Sequence, residues 1–285
     1  MKESKIEWTR STFNPWWGCE RVSPGCTHCY AEAFAKRTGH DVWGGSADRR
    51  FFGDGHWNEP LRWNAEAAKT GEPWRVFCAS MADVFEDRPD LVAPRARVFD
   101  LIARTPALTW LLLTKRPENM VRLAPASWAG SWPANVWAGT TVEDVARKVR
   151  IDALRLVPAA VRWLSLEPLI EDLGTVDFSG VAWAIVGGES GGGARPFAWR
   201  WGRSLLAQMR GQGVAPHFKQ SGVRPVAHDV GDLSEDAARA WDSEHAGEPF
   251  PSEGVIVRPL DGKGASMAEW PEDLRVREFP KGGAA

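Results

Sequence analysis

The chain has 285 residues, 44% of them hydrophobic and 25% charged, a balance that excludes wholesale disorder and supports one large domain with a sizeable core. A net charge of -2 gives no overall positive field for gripping a phosphate backbone, so nucleic acid would need a local basic patch. No run of about 18 apolar residues occurs, and Met1 to Glu7 lack the apolar centre of a signal peptide, so a cytoplasmic protein with no membrane partner is expected.

Short β-branched and aromatic runs recur along the chain, each followed by a polar cluster and then by apolar residues at helical spacing. A first strand is expected near Ser11 to Asn14. Further strands follow at Arg75 to Ala79, Thr109 to Leu113, Asn135 to Gly139, Val161 to Ser165, Val181 to Val186 and Pro216 to Lys219. Helical spacing marks Leu91 to Arg104, Pro117 to Leu123, Val142 to Leu156 and Trp199 to Gln212. Apolar strands alternating with helices imply an α/β fold, a partial or full parallel (β/α) barrel, in which the loops after the strands line one mouth. The barrel-like domain is expected over 1–223, with a glycine-rich loop insertion at 38–64, and an irregular extension over 224–285 is expected to pack on it.

The first of those loops holds Cys19, Cys26 and Cys29, and Pro24 and Gly25 let the backbone turn so that three sulfurs can face one point. In a reducing compartment such a cluster reads as metal ligands rather than disulfides. Three thiolates suit a [4Fe-4S] cluster with one iron left open; zinc, with His28 or a remote residue as fourth ligand, and unligated thiols are the alternatives. Cys78, alone within a strand, reads as a buried apolar residue.

Cys26-x-x-Cys29-Tyr30-Ala31, placed after a first strand and before a βα series, resembles the radical S-adenosylmethionine superfamily, although six residues rather than the usual three separate the first two cysteines. The chain is also similar, over most of its length, to a phage-type three-Cys-motif family of unknown function found in bacteriophages and bacteria. The marks are Lys5-Ile6-Glu7-Trp8-Thr9, Asn14-Pro15-Trp16-Trp17-Gly18-Cys19, Val22-Ser23-Pro24-Gly25-Cys26, Leu113 to Glu118, Ser165 to Leu169, Ile185 to Gly191 and Phe218-Lys219-Gln220. The superfamily resemblance implies a [4Fe-4S] cluster on Cys19, Cys26 and Cys29, S-adenosylmethionine as cosubstrate, an external electron donor and radical chemistry, and the phage association of the similar family makes nucleic acid or nucleotide the first choice of substrate. Rival expectations are a zinc-stabilised binding module and a non-catalytic iron-sulfur redox protein.

Other strand-end loops supply candidate cofactor contacts. Gly187, Gly188, Glu189 and Ser190 resemble the Gly-Gly-Glu element that holds the methionine amino group, and a tight turn without ligand is the alternative. Thr114, Lys115 and Arg116 could bind a carboxylate or phosphate, and Glu167 occupies an equivalent position after its strand. Asp83, Glu143 and the Lys219-Gln220 pair are weaker candidates at the mouth, and Arg49 and Arg50 are candidate phosphate contacts in the insertion.

Overall fold

The computed structural model describes residues 3–233, 235–245 and 248–280. Seven parallel strands dominate: β1 (Ser11–Thr12), β2 (Trp74–Cys78), β3 (Leu108–Thr114), β4 (Val136–Thr141), β5 (Val161–Leu166), β6 (Trp183–Gly187) and β7 (Ala215–Gln220). They form one sheet in sequence order, β1 to β7, with β1 and β7 at its edges. Parallel neighbours need crossover connections, and most intervening segments contain helical turns, although residues 167–182 between β5 and β6 form no helix.

The chain divides into two compact units, one built from the residues up to Thr141 with Val149–Leu164, the other from Val142–Lys148 with the residues from Ser165 to Pro280. In the first, Trp74 pairs with Leu108 and Cys78 with Leu112, while Trp110 pairs with Val136 and Thr114 with Thr140. Nearly every residue of β3 is buried, as a strand covered on both faces requires. Trp110, Trp74, Trp16 and Trp163 are fully buried, so much of the tryptophan content is core. In the second unit β6 and β7 pair from Trp183–Ala215 to Val186–Phe218. Helix α5 (Trp199–Gly211) buries Trp199, Leu205, Leu206 and Met209 on one side.

Helices α1 (Tyr30–Arg37) and α2 (Glu59–Thr70) do not stand out in the sequence. The second lies across the end of the stretch expected as a loop: Pro60 sits in its first turn, and Pro60, Trp63 and Ala67 form its buried face. Helix α3 (Val92–Ala103) follows its sequence pattern. Helix α4 (Val149–Arg155) starts seven residues later than the spacing suggested, because Asp144 first caps a 3-10 turn at Val145–Arg147 by accepting from the Arg147 amide at 2.9 Å. Beyond residue 224 the second unit adds strands Pro225–Ala227 and Val255–Ile256, joined with Phe197–Ala198 in a small sheet, and helix α6 (Glu235–Glu244). No helix among the described residues is long and apolar enough to cross a membrane.

Candidate functional site

In the first unit the loops after β1, β2 and β3 meet. Gly18, after β1, bridges to Ala82 after β2, and its amide donates to the Met81 carbonyl at 3.0 Å. Gly18 has φ +118°, and a Cβ there would lie 2.4 Å from the Val42 carbonyl oxygen. Only glycine fits at the entrance of the cysteine loop.

Asp83, from the loop after β2, organises the next two residues of chemical interest. Its carboxylate, 5% exposed, accepts from the Thr114 hydroxyl at 2.7 Å and from the amides of Phe85 and Lys115 at 3.0 and 3.1 Å. It also pairs with Arg116 Nη1 at 2.9 Å. The same Nη1 lies 3.8 Å from Cys19 Sγ, and Nη2 donates to the Glu20 carbonyl at 3.0 Å. Burial works to lower the pKa of Arg116, and Asp83 and Cys19 outweigh it, so the guanidinium stays charged. Burial pushes the Cys19 thiol up to about 12, with Asp83 adding to the rise and Arg116 opposing it. Arg116 therefore points into the protein and supports Cys19, instead of standing open for a ligand carboxylate.

Cys29 immediately precedes α1, and its carbonyl accepts from the Ala33 amide at 3.0 Å. Burial raises its thiol pKa, while the Glu32 and Ala31 amides of the first helical turn and the Lys115 ammonium pull it back down. Lys115 Nζ itself donates to the Thr141 hydroxyl at 3.3 Å. The 3-10 turn Pro24–Cys26 places Cys26 beside the Ser23 hydroxyl, 3.8 Å from Sγ. Arg21 and Lys36 both grip the buried Glu32 carboxylate, at 2.7 and 2.8 Å, tying the loop to α1. The chain's single tyrosine, Tyr30, donates to the Ser80 carbonyl at 3.0 Å.

Arg49, a candidate phosphate contact by sequence, is corrected by the structure. Its side chain is wholly buried, forks onto Glu86 at 2.6 and 3.2 Å, and donates to the carbonyls of Val42, Gly44 and Ala47. It fastens the insertion to the loop after β2. Arg50, its neighbour, is half-buried and takes no such role.

In the second unit, Glu189 is 5% exposed and accepts from Arg195 Nε at 2.9 Å, Nη2 at 2.6 Å and the Arg195 amide at 2.9 Å. This fork matches both carboxylate oxygens. Gly188 is crowded by protein: a Cβ would lie 2.3 Å from the Ser221 carbonyl oxygen and 2.9 Å from Phe197 Cβ. Its amide donates to the Gln220 carbonyl, and Gln220 Nε2 donates back to its carbonyl at 3.0 Å. Gly187 accepts from the Leu169 amide at 2.9 Å, and Ser190 stands half-buried after Glu189. Glu167 pairs with Lys219 Nζ at 2.6 Å, and Glu143 is fully buried. The close approach that this glycine pair permits is between the loops after β6 and β7.

For a three-cysteine cluster the donor set is chemically apt. All three thiols are free and partly accessible, one has a guanidinium N-H facing it and another sits at a helix N-terminus. Among the described residues no group of three or more His, Cys, Asp or Glu side chains is gathered so as to hold a metal ion. Cys78 is buried in β2, as its sequence context suggested.

Fold and loops together define an α/β protein whose parallel sheet presents a loop with three free cysteines after its first strand. Residues 3–249 match the family described as "Protein of unknown function (DUF5131)", and the chain belongs to that family. No curated protein compared with the chain matches it.

Proposed function

We propose that this chain is an iron-sulfur enzyme that holds a [4Fe-4S] cluster through Cys19, Cys26 and Cys29 and uses S-adenosylmethionine, with an external electron donor, for radical chemistry. The observation that carries the reading is the treatment of Cys19: a buried guanidinium, oriented by Asp83, is aimed at a thiol sulfur. A cationic donor at a sulfur has little purpose for a neutral thiol, whereas it stabilises a metal-bound thiolate. At Cys29 burial raises the thiol pKa overall, and the first-turn amides of α1 and the Lys115 ammonium offset that rise in part.

When bound, the cluster supplies one electron for cleavage of the sulfonium bond. The chain's own residues have separable tasks. Cys19, Cys26 and Cys29 are the ligands, and metal binding draws their loop into its final form, as folding and ligation are coupled in short metal loops. Arg116 steadies Cys19, and Thr114 steadies Arg116 by accepting from its amide at 2.9 Å. Lys115, half-buried with one long hydrogen bond, is the cation best able to receive an anionic group of the cosubstrate. Gly187, Gly188, Glu189, Ser190 and Glu167 form the second set of proposed cosubstrate contacts. Glu189 and Glu167 are matched there by Arg195 and Lys219, and the Gly188 amide and carbonyl by Gln220, so a cosubstrate group would have to share or displace these partners.

The test is anaerobic purification followed by iron and sulfide analysis and reduction in the presence of S-adenosylmethionine. Brown protein with about four irons per chain that yields 5'-deoxyadenosine supports the reading. Colourless protein with one tight zinc, or a loaded cluster that never yields 5'-deoxyadenosine, overturns the enzyme proposed here.

A further inference from the structure

The two-residue strand Trp16–Trp17 pairs antiparallel with Arg50–Phe51, setting Trp17 opposite Arg50. On that face four side chains converge from three segments. The Trp17 ring meets Phe34 of α1 edge-on at 5.7 Å, His40 at 5.3 Å and Phe52 at 5.9 Å, with interplanar angles of 72°, 68° and 75°. The Arg50 guanidinium carbon sits 4.6 Å from the centre of the Trp17 ring and 5.0 Å from that of Phe52. Arg37 lies 5.5 Å over Phe34. Trp17, Phe34, His40, Arg50 and Phe52 are half-buried, and Arg37 is exposed.

The contrast with Arg49 is instructive. Arg49 uses its donors on Glu86 and three carbonyls. The side chains of Arg50 and Arg37 make no hydrogen bond and no ion pair with any described residue. Two guanidiniums are thus held over aromatic faces with their N-H donors uncommitted. Rings braced edge to face hold one another in place and lie partly open, and aromatic rings and guanidiniums are both stacking surfaces for nucleobases. A ligand that satisfies both features must carry anions and planar π-faces at short intervals along one flexible chain. A membrane surface offers no π-faces, and an acidic peptide supplies charge without regular stacking partners.

We infer that this face binds single-stranded nucleic acid, its phosphates taken by Arg37 and Arg50 and its bases stacked against the Trp17, Phe34 and Phe52 platform. With a net charge of -2 the chain lacks a general field for polyanions, and this patch is where a local one is built. Trp17 stands two residues before Cys19, so a bound strand would run beside the cysteine loop. The inference stands on these rings and arginines and does not require a cluster.

The test uses the full chain, with and without iron, and fluorescence anisotropy of labelled single-stranded DNA and RNA of about 20 nucleotides. The same sequence as a duplex and a polyglutamate peptide serve as competitors. Single strands are expected to bind at least about tenfold more tightly than the duplex. R37Q/R50Q, in which each Gln keeps a polar side chain and the circular dichroism spectrum is checked to be unchanged, is expected to flatten the plot of log K against log salt by about 1.4, or roughly 0.7 per lost phosphate contact. Phe34→Ala should weaken binding at least about fivefold through lost stacking. No binding at about 50 mM salt, an unchanged salt slope in R37Q/R50Q, or competition by polyglutamate as strong as by the oligonucleotide overturns the inference. Iron content, measured on the same samples, reports on the cluster separately.

Discussion

Replacing Asp83 by Asn tests whether the loops after β1, β2 and β3 are held by one carboxylate. Its Oδ1 accepts from the Phe85 amide and the Thr114 hydroxyl at 3.0 and 2.7 Å; its Oδ2 accepts from Thr114, the Lys115 amide and Arg116 at 2.9, 3.1 and 2.9 Å. An asparagine NH2 in the Oδ2 position would face two donors, and in the Oδ1 position it would face the Phe85 amide. Either orientation strands a buried N-H and leaves the Arg116 charge, 8% exposed, without its counterion. Breaking a buried ion pair by removing one charge costs about 3–5 kcal/mol. In a domain of this size that lowers the melting temperature by about 6–20 °C. Urea unfolding followed by circular dichroism, beside Asp83→Asn/Arg116→Met as the cycle partner, measures it. A loss below about 1 kcal/mol, the worth of an exposed pair, would refute the structural argument.

Three further outcomes are expected. Cys19→Ala, Cys26→Ala and Cys29→Ala each abolish iron loading while Cys78→Ala retains it; full iron in any of the first three removes that residue as a ligand. Gly188→Ala destabilises by about 1–3 kcal/mol because its Cβ would strike the Ser221 carbonyl, whereas Gly192→Ala, with open space around it, stays within about 0.5 kcal/mol. Burial raises the Cys78 thiol pKa, so its contribution to stability is complete below the ordinary thiol value and is lost as pH climbs beyond it. Iodoacetamide at pH 8 should therefore leave Cys78 unmodified in the folded chain and label it after unfolding; equal labelling in both states contradicts its burial.

The central strands were legible because they are short, nearly continuous apolar runs, the signature of a sheet covered on both faces; the edge strands Ser11–Thr12 and Ala215–Gln220 are more polar and were placed by their neighbours in the βα rhythm. Helix α2 was hidden among the aromatic and glycine residues that precede it, and the start of α4 was displaced by an Asp cap whose effect depends on local geometry. The cysteines, Thr114, Lys115 and Arg116 were visible as residue types at strand ends. What Arg116 does was not: its partners Asp83 and Cys19 lie 33 and 97 positions away, and no periodicity encodes such meetings. Arg49 and Arg50 make the same point from adjacent positions. One is consumed by a buried carboxylate and the other rests on two rings, Arg49 lying just before the short strand Arg50–Phe51 and Arg50 opening it.

The supports of the cysteine loop also impose an order on the protein's biosynthesis. All three cysteines leave the ribosome within the first 29 residues, but Arg49, Glu86 and Arg116 emerge afterwards, the last of them 97 positions behind Cys19. Until about the first three strands' worth of chain has been made, those thiols have neither their guanidinium nor the fastening of the insertion, and they resemble cysteines in an unfolded peptide. Metal delivered to the nascent chain would meet a loose loop, and metal delivered after β3 has joined the sheet would meet a supported one. Loading of the proposed cluster would thus follow completion of the first three strands, and translation pausing before Arg116 would lengthen the interval in which the thiols stand exposed to oxidation.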